Sequence, residues 1–144
     1  MIRSYRVEAR SLAPIEAVWP LLGQAARWPE WSFLDRAVLE RTGRDDPDGV
    51  GAIRHFTRFG TGSREEVLAW EPPAHLAYSI LSGFPVKNYR SDIWLRQGAC
   101  TFITWSGTFE AKVPGTGRIL ETALRLLMGR FARNVARYAE ASRT

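Results

Sequence analysis

The sequence predicts an α+β fold: a curved antiparallel sheet of about seven strands around one long C-terminal helix, with two short helices after the first strand. Three observations predict it. Residues 116–142 read as a single amphipathic helix without proline. Residues 35–112 read as short strands separated by Gly, Pro and Asp turns. Near the N-terminus Tyr5, Val7 and Ala9 alternate with Arg6, Glu8 and Arg10, the period of a half-buried strand. A long helix that closes a strand-rich chain must lay its apolar face on the sheet. An arched sheet cannot meet a straight helix everywhere at core density, so an apolar hollow is expected between them, and function is sought there.

Each element has its own justification. The first strand covers residues 3–10. Pro14 suits a first helical turn, and Ile15, Val18, Trp19 and Leu22 fall on one helical face. Pro20 removes a hydrogen bond from that helix, which should be short or kinked. A second short helical turn runs from Gln24 to Trp31. Strands are then predicted from Leu34 to Thr42, Ala52 to Phe59, Arg64 to Glu71, Leu76 to Leu81, Asn88 to Leu95 and Thr101 to Ala111. Between them lie the turns Arg44 to Gly49, Gly60-Thr61-Gly62, Pro72-Pro73, Gly83-Phe84-Pro85 and Arg96-Gln97-Gly98. Pro114-Gly115 leads into the last helix, with Thr116 as its N-cap. No repeat, linker or low-complexity tract interrupts the chain, and residues 1–144 are read as a single domain.

Composition narrows the function classes. One cysteine, Cys100, excludes an internal disulfide and a cysteine metal cluster. Two histidines, His55 and His75, argue against a protein-ligated zinc, and neither is placed as a general base. His55 alternates away from Arg54 toward the outer face, and His75 sits in the Pro-Pro-Ala-His turn. No cofactor or metal is expected. No signal-like or bilayer-length apolar run appears, so a soluble cytoplasmic protein is expected. The net charge of +5 raises nucleic acid as a partner. Four of those five charges come from the last helix, where Arg118, Arg125, Arg130, Arg133, Arg137 and Arg143 face Glu121 and Glu140. A solvated helix back accounts for them, and no specific nucleic-acid motif accompanies them. An interaction through this basic face stays as a weaker alternative, and the oligomeric state is open.

Several local signatures occur in order. They are Ala13-Pro14 with Val18-Trp19, Trp28-Pro29 with Trp31, Gly49-Val50-Gly51 with Arg54, and Glu65 with Val67 followed by Pro72-Pro73. Leu76 with Tyr78, Tyr89, and Thr101 with Ile103 and Trp105 complete the set. Together they resemble the START/Bet v 1-like (SRPBCC) superfamily, in its polyketide cyclase/dehydrase and lipid-transport branch, over essentially the whole chain. The resemblance implies a helix-grip fold with a ligand tunnel between sheet and C-terminal helix. It also implies either binding of lipids, sterols or polyketides, or an aromatase/cyclase activity.

Candidate site residues follow from periodicity. On the last helix Leu120, Leu124, Leu127, Phe131, Val135 and Tyr138 share a face, with Asn134 at its edge either bonding a ligand or exposed. Tyr89, Ser91, Ile93 and Leu95 share a strand face, as do Thr101, Ile103, Trp105, Gly107 and Phe109, and both faces are placed inward. Glu65, Val67 and Ala69 share another, opposite Ala52, Arg54, Phe56 and Arg58. Arg54 and Glu65 are expected to meet as an inward Arg–carboxylate pair, either structural or orienting a polar ligand group. Tyr78 and Tyr89 either donate to a ligand ketone or hydroxyl or simply fill space. Trp19 is assigned to the core, while Trp31 belongs to the fold or gates the cavity mouth. The expected ligand set is Trp31, Arg54, Glu65, Val67, Tyr78, Tyr89, Ile93, Ile103, Trp105, Phe109, Leu127, Phe131 and Asn134. Binding of a small hydrophobic or amphipathic ligand is favoured. The alternative is a cyclase or dehydratase using Tyr78, Tyr89, Arg54 or Glu65.

Overall fold

A computed structural model describes residues 1–142; Arg143, counted above with the basic helix, lies outside the described residues. Strand β1 (Arg3–Ser11) is followed by α1 (Ile15–Gly23) and a 3₁₀ turn (Ala25–Arg27) that runs into α2 (Trp28–Trp31). Six strands come next: β2 (Arg36–Arg41), β3 (Ile53–Arg58), β4 (Thr61–Glu71), β5 (His75–Ser82), β6 (Val86–Gln97) and β7 (Thr101–Ala111). Helix α3 (Gly117–Ala141) closes the chain. The strands form one antiparallel sheet in the order β1-β7-β6-β5-β4-β3-β2. The last strand thus returns beside the first, and β1 and β2 are its edges. This is the helix-grip fold that the family resemblance implies. Among the described residues no helix is long and apolar enough to cross a membrane.

The concave face is packed as the alternation requires. Ile93 and Leu95 of β6 and Ile103, Trp105 and Phe109 of β7 are buried, and Leu124, Met128, Phe131 and Val135 of α3 meet them. Helix α3 lies chiefly over β1, with β7 beside it. Small residues at Ala132, Ala136 and Ala139 face the sheet, and the Ser11 hydroxyl donates to the Ala136 carbonyl at 2.8 Å. The buried stripe is therefore centred on Leu124, Met128, Ala132 and Val135. Leu120, Leu127 and Tyr138, expected within it, sit half-buried on its flanks. Alanines gave no hydrophobic signal strong enough to pull the expected stripe toward them. Thr116 begins the helix without a side-chain cap; its hydroxyl donates to Val113 at 2.7 Å instead.

Two backbone irregularities depart from simple alternation. The β3–β4 hairpin turns on two residues, Phe59 and Gly60, because Arg58 pairs with Thr61. Both have positive φ, 51° and 79°, as a type I′ turn requires. Phe59 occupies a position where Asn is favoured and a bulky side chain is strained. In β4 a register shift lies between Val67, paired with Tyr78, and Ala69, paired with Ala77. This extra residue flips the strand's facing, so Trp70 turns in against Trp19, with ring centroids 5.2 Å apart. The expectation that Ala69 continues the face of Glu65 and Val67 fails at this bulge.

Candidate functional site

The site begins with the C-terminus of α1, whose last carbonyls have no intrahelical partner. The Trp31 indole donates to the Leu21 carbonyl at 2.8 Å and the Trp28 indole to the Leu22 carbonyl at 2.9 Å. Arg54, fully buried on β3, donates through Nη1 to Leu22 at 3.1 Å and through Nη2 to Gly23. A guanidinium at a helix C-terminus is also favoured by the helix dipole. Arg54 and Glu65 are register partners on adjacent strands and both point inward, as expected. Yet the guanidinium is committed to the helix, and no Arg54–Glu65 ion pair forms among the described residues. The expected pair is thus two separate roles.

Beyond this capped helix lies a cavity of about 410 Å³ between the sheet and α3. Trp28 and Phe56 form its inner wall with Leu127, Met128 and Phe131 of α3. Phe33, Leu34 and Phe84 come from loops, and Phe59, Thr61, Gly62 and Gly83 ring the mouth. Its polar groups are few: Ser63 and Glu65 on the inward face of β4, and Arg58 on the inward face of β3. Burial pushes the Glu65 carboxyl up to about 8, because lost hydration outweighs the attraction of Arg54 and the hydrogen bond from Ser63. At neutral pH Glu65 is therefore a carboxylic acid, able to donate a hydrogen bond into the cavity. A larger concavity of about 810 Å³ lies on the convex face of the sheet, among Arg6, Arg10, Trp94 and Arg96. These side chains face solvent, and that groove does not reach the core.

The phenols are bound to the protein itself. The Trp105 indole donates to the Tyr78 hydroxyl at 3.0 Å, and Tyr78 reaches Met128 Sδ at 3.9 Å. Tyr89 and Tyr5 share a short hydroxyl contact, and Tyr5 is 3.1 Å from Ser91 Oγ, which donates to Ser106 at 2.9 Å. Burial holds Tyr78 and Tyr89 well above the ordinary phenol value and raises Tyr5 to about 12. These are neutral structural groups. Gly107 makes room for them, since a Cβ there would lie 2.6 Å from the Tyr5 ring.

Residues 3–140 match the family described as polyketide cyclase/dehydrase and lipid transport. The chain belongs to this family. It is 28% identical over 137 residues to the uncharacterized protein Rv2574 of Mycobacterium tuberculosis, covering 88% of this chain and 78% of that protein. The Mycobacterium bovis protein Mb2604 matches to the same extent. Among solved structures, Ara h 8.0201 superposes with a TM-score of 0.76 at 14% identity, over 98% of this chain and 99% of that one. XoxI from Bacillus cereus gives 0.73 at 22% identity, over 98% and 94%. At such identities these structures share the fold.

Within that family fold, the residues expected around the ligand separate into three groups. Glu65, Leu127 and Phe131 line the cavity. Arg54, Val67, Tyr78, Tyr89, Ile93, Ile103, Trp105 and Phe109 are buried around it as core, and Trp31 caps α1 rather than gating the mouth. Asn134 is half-buried on α3 and lies outside the cavity lining. Trp28, Phe33, Phe59, Phe84 and Arg58 were missed as lining residues; all but Trp28 and Arg58 sit in loops, where alternation carries no signal. Arg58 was legible, since it shares the inward face of Arg54 and Phe56. His75 is a second correction: it opens β5 and is buried, with Nδ1 2.6 Å from Glu71 and Nε2 2.7 Å from Asp92. Trp94 stacks on its ring at 3.6 Å. His55 faces outward, between Val38 and Arg64 in register.

Proposed function

We propose that this protein binds a small hydrophobic or amphipathic molecule, lipid-, sterol- or polyketide-like, in the cavity beside α3. The observation that carries the reading is the lining: six aromatic side chains enclose about 410 Å³ with only a few polar groups, the composition of a small-molecule pocket. The family's description, which joins cyclase or dehydrase members with lipid transport, supports the same class. The enzyme alternative keeps one of its four groups. Arg54 is engaged by α1, Tyr78 and Tyr89 by their own core partners, and only Glu65 reaches the cavity. A single acid without a partnered base supports holding a ligand better than transforming it.

Titration with N-phenylnaphthylamine, a neutral apolar fluorophore, tests this reading. Saturable binding with energy transfer from the tryptophans is expected, with Phe131→Glu abolishing it. Absence of saturable uptake by the folded protein refutes it.

A further inference from the structure

The cavity mouth carries a charge that the fold does not use. Arg58 ends β3 on its inward face, opposite Thr61 at the hairpin tip. One Nη donates to the Phe33 carbonyl, leaving most of the five guanidinium N–H groups for other partners. No carboxylate lies within ion-pair distance of Arg58 among the described residues. Its position is fixed nevertheless: the guanidinium carbon lies 5.1 Å from the Phe33 ring centre and 4.6 Å from that of Phe59. Arg130 of α3 lies over the same Phe33 ring at 5.7 Å, adding a second positive charge at this rim. The carboxylate of Asp35, two residues beyond Phe33, accepts the Phe59 backbone N–H.

The interior has a different polarity. Four residue steps along β4 lead from Thr61, opposite Arg58, to Glu65, a span of about 13 Å at strand rise. Everything between is aromatic or aliphatic except the Ser63 hydroxyl. A rigid, stacked guanidinium at the mouth of an apolar pocket is suited to hold an oxyanion by charge-assisted hydrogen bonds.

Resting on the binding reading above, we infer that the ligand is an amphipathic acid: its carboxylate-like head is held by Arg58 at the mouth, and its apolar body runs inward past Ser63 toward Glu65. Neutral lipids and sterols are disfavoured because their oxygens can accept from Arg58 but bring no negative charge to meet it. The neutral state of Glu65 below about pH 8 fits this arrangement, since an ionised inner carboxylate repels an incoming anion. The groups facing Glu65 are Arg54 on β3, Ser63 on β4 and the buried phenols Tyr5, Tyr78 and Tyr89, and of these only Arg54 is charged there.

The test displaces bound N-phenylnaphthylamine with decanoate and with decanol, which share an apolar chain and differ in head charge. At about pH 6.5, below the Glu65 transition, decanoate should displace the dye at a concentration at least about tenfold lower than decanol, the worth of one charge-assisted hydrogen bond. Arg58→Gln should remove that preference, read as the decanoate-to-decanol ratio within the variant so that any change in dye affinity cancels, and Arg58→Lys should restore part of it. Equal potency of the two competitors in the wild type overturns the inference but leaves the binding reading standing. So does a preference that survives intact in Arg58→Gln. If the dye itself fails to bind the wild type, the binding reading falls and the inference falls with it. Should Arg58→Gln lose the dye altogether, calorimetric titration of that variant with each competitor gives the ratio directly, and the same two outcomes apply.

Discussion

Replacing Glu65 by glutamine keeps the size of a buried carboxyl group and removes its titration. In the folded chain this carboxyl loses its proton only near pH 8, because burial strips its hydration and Arg54 is turned toward α1. In the unfolded chain it does so near the ordinary 4.5. The sign follows from proton counting. Between these two values the folded state holds a proton that the unfolded state has released, so stability declines as pH rises. The contribution is full below pH 4.5, is lost progressively up to about 8, and levels off above. The two values differ enough to be worth roughly 5 kcal/mol across the window, a slope of about 1.4 kcal/mol per pH unit. Urea unfolding of wild type and Glu65→Gln at a series of pH values isolates this carboxyl, because every other titrating group is common to both. The difference in unfolding free energy, wild type minus variant, should fall across that window. A flat difference means that Glu65 is solvated. A difference that rises with pH means that it is ionised and paired with Arg54, and either result refutes the reasoning.

Arg54→Met should destabilise the fold by about 1–3 kcal/mol, since the buried Gly23 carbonyl loses this donor while the Leu22 carbonyl keeps the Trp28 indole. In a double-mutant cycle with Glu65→Leu the coupling energy should be small beside that loss, as measured by urea unfolding; a coupling as large as the single effect restores the ion pair. Phe59→Asn should raise stability by about 1 kcal/mol by relieving the left-handed backbone at the hairpin tip. The same change should weaken displacement of the dye by decanoate, because Arg58 loses one of the two rings that fix it.

The fold was legible because its signals are local and repeated. Alternation in β1, β6 and β7 and the proline-free run of α3 are each long enough to stand alone. Where the reading slipped, one residue was enough. The extra residue in β4 beyond Val67 reverses the facing of everything after it, and no pattern in Leu68-Ala69-Trp70 announces a bulge. On α3 the face was displaced toward leucines, because Ala132, Ala136 and Ala139 pack closest to the sheet yet add little to a hydrophobic stripe. His75 follows Pro72-Pro73 closely and reads as a turn residue, although the strand begins at that position.

The site was less legible for a reason that lies in how α3 sits. Alternation and helical periodicity report which side chains point inward, not whether a ligand or another element lies opposite them. But α3 lies over β1 and β7, so the inward residues of β7 meet it, those of β6 pack beside them and α1, and together they become solid core. Trp105 fills that space and bonds to Tyr78. The gap opens on the other flank, where β3 and β4 curve away from the helix. There the α1 C-terminus, capped by Trp28, Trp31 and Arg54, stops short of the hairpin tip. Phe33, Phe59 and Phe84, on the loops around that opening, then supply its rim. Inward-facing residues thus divide by what lies opposite them: those under α3 hold the fold together, and those beyond its edge face the cavity. The second class includes Arg58, Ser63 and Glu65, which bring polar side chains to an otherwise largely apolar lining.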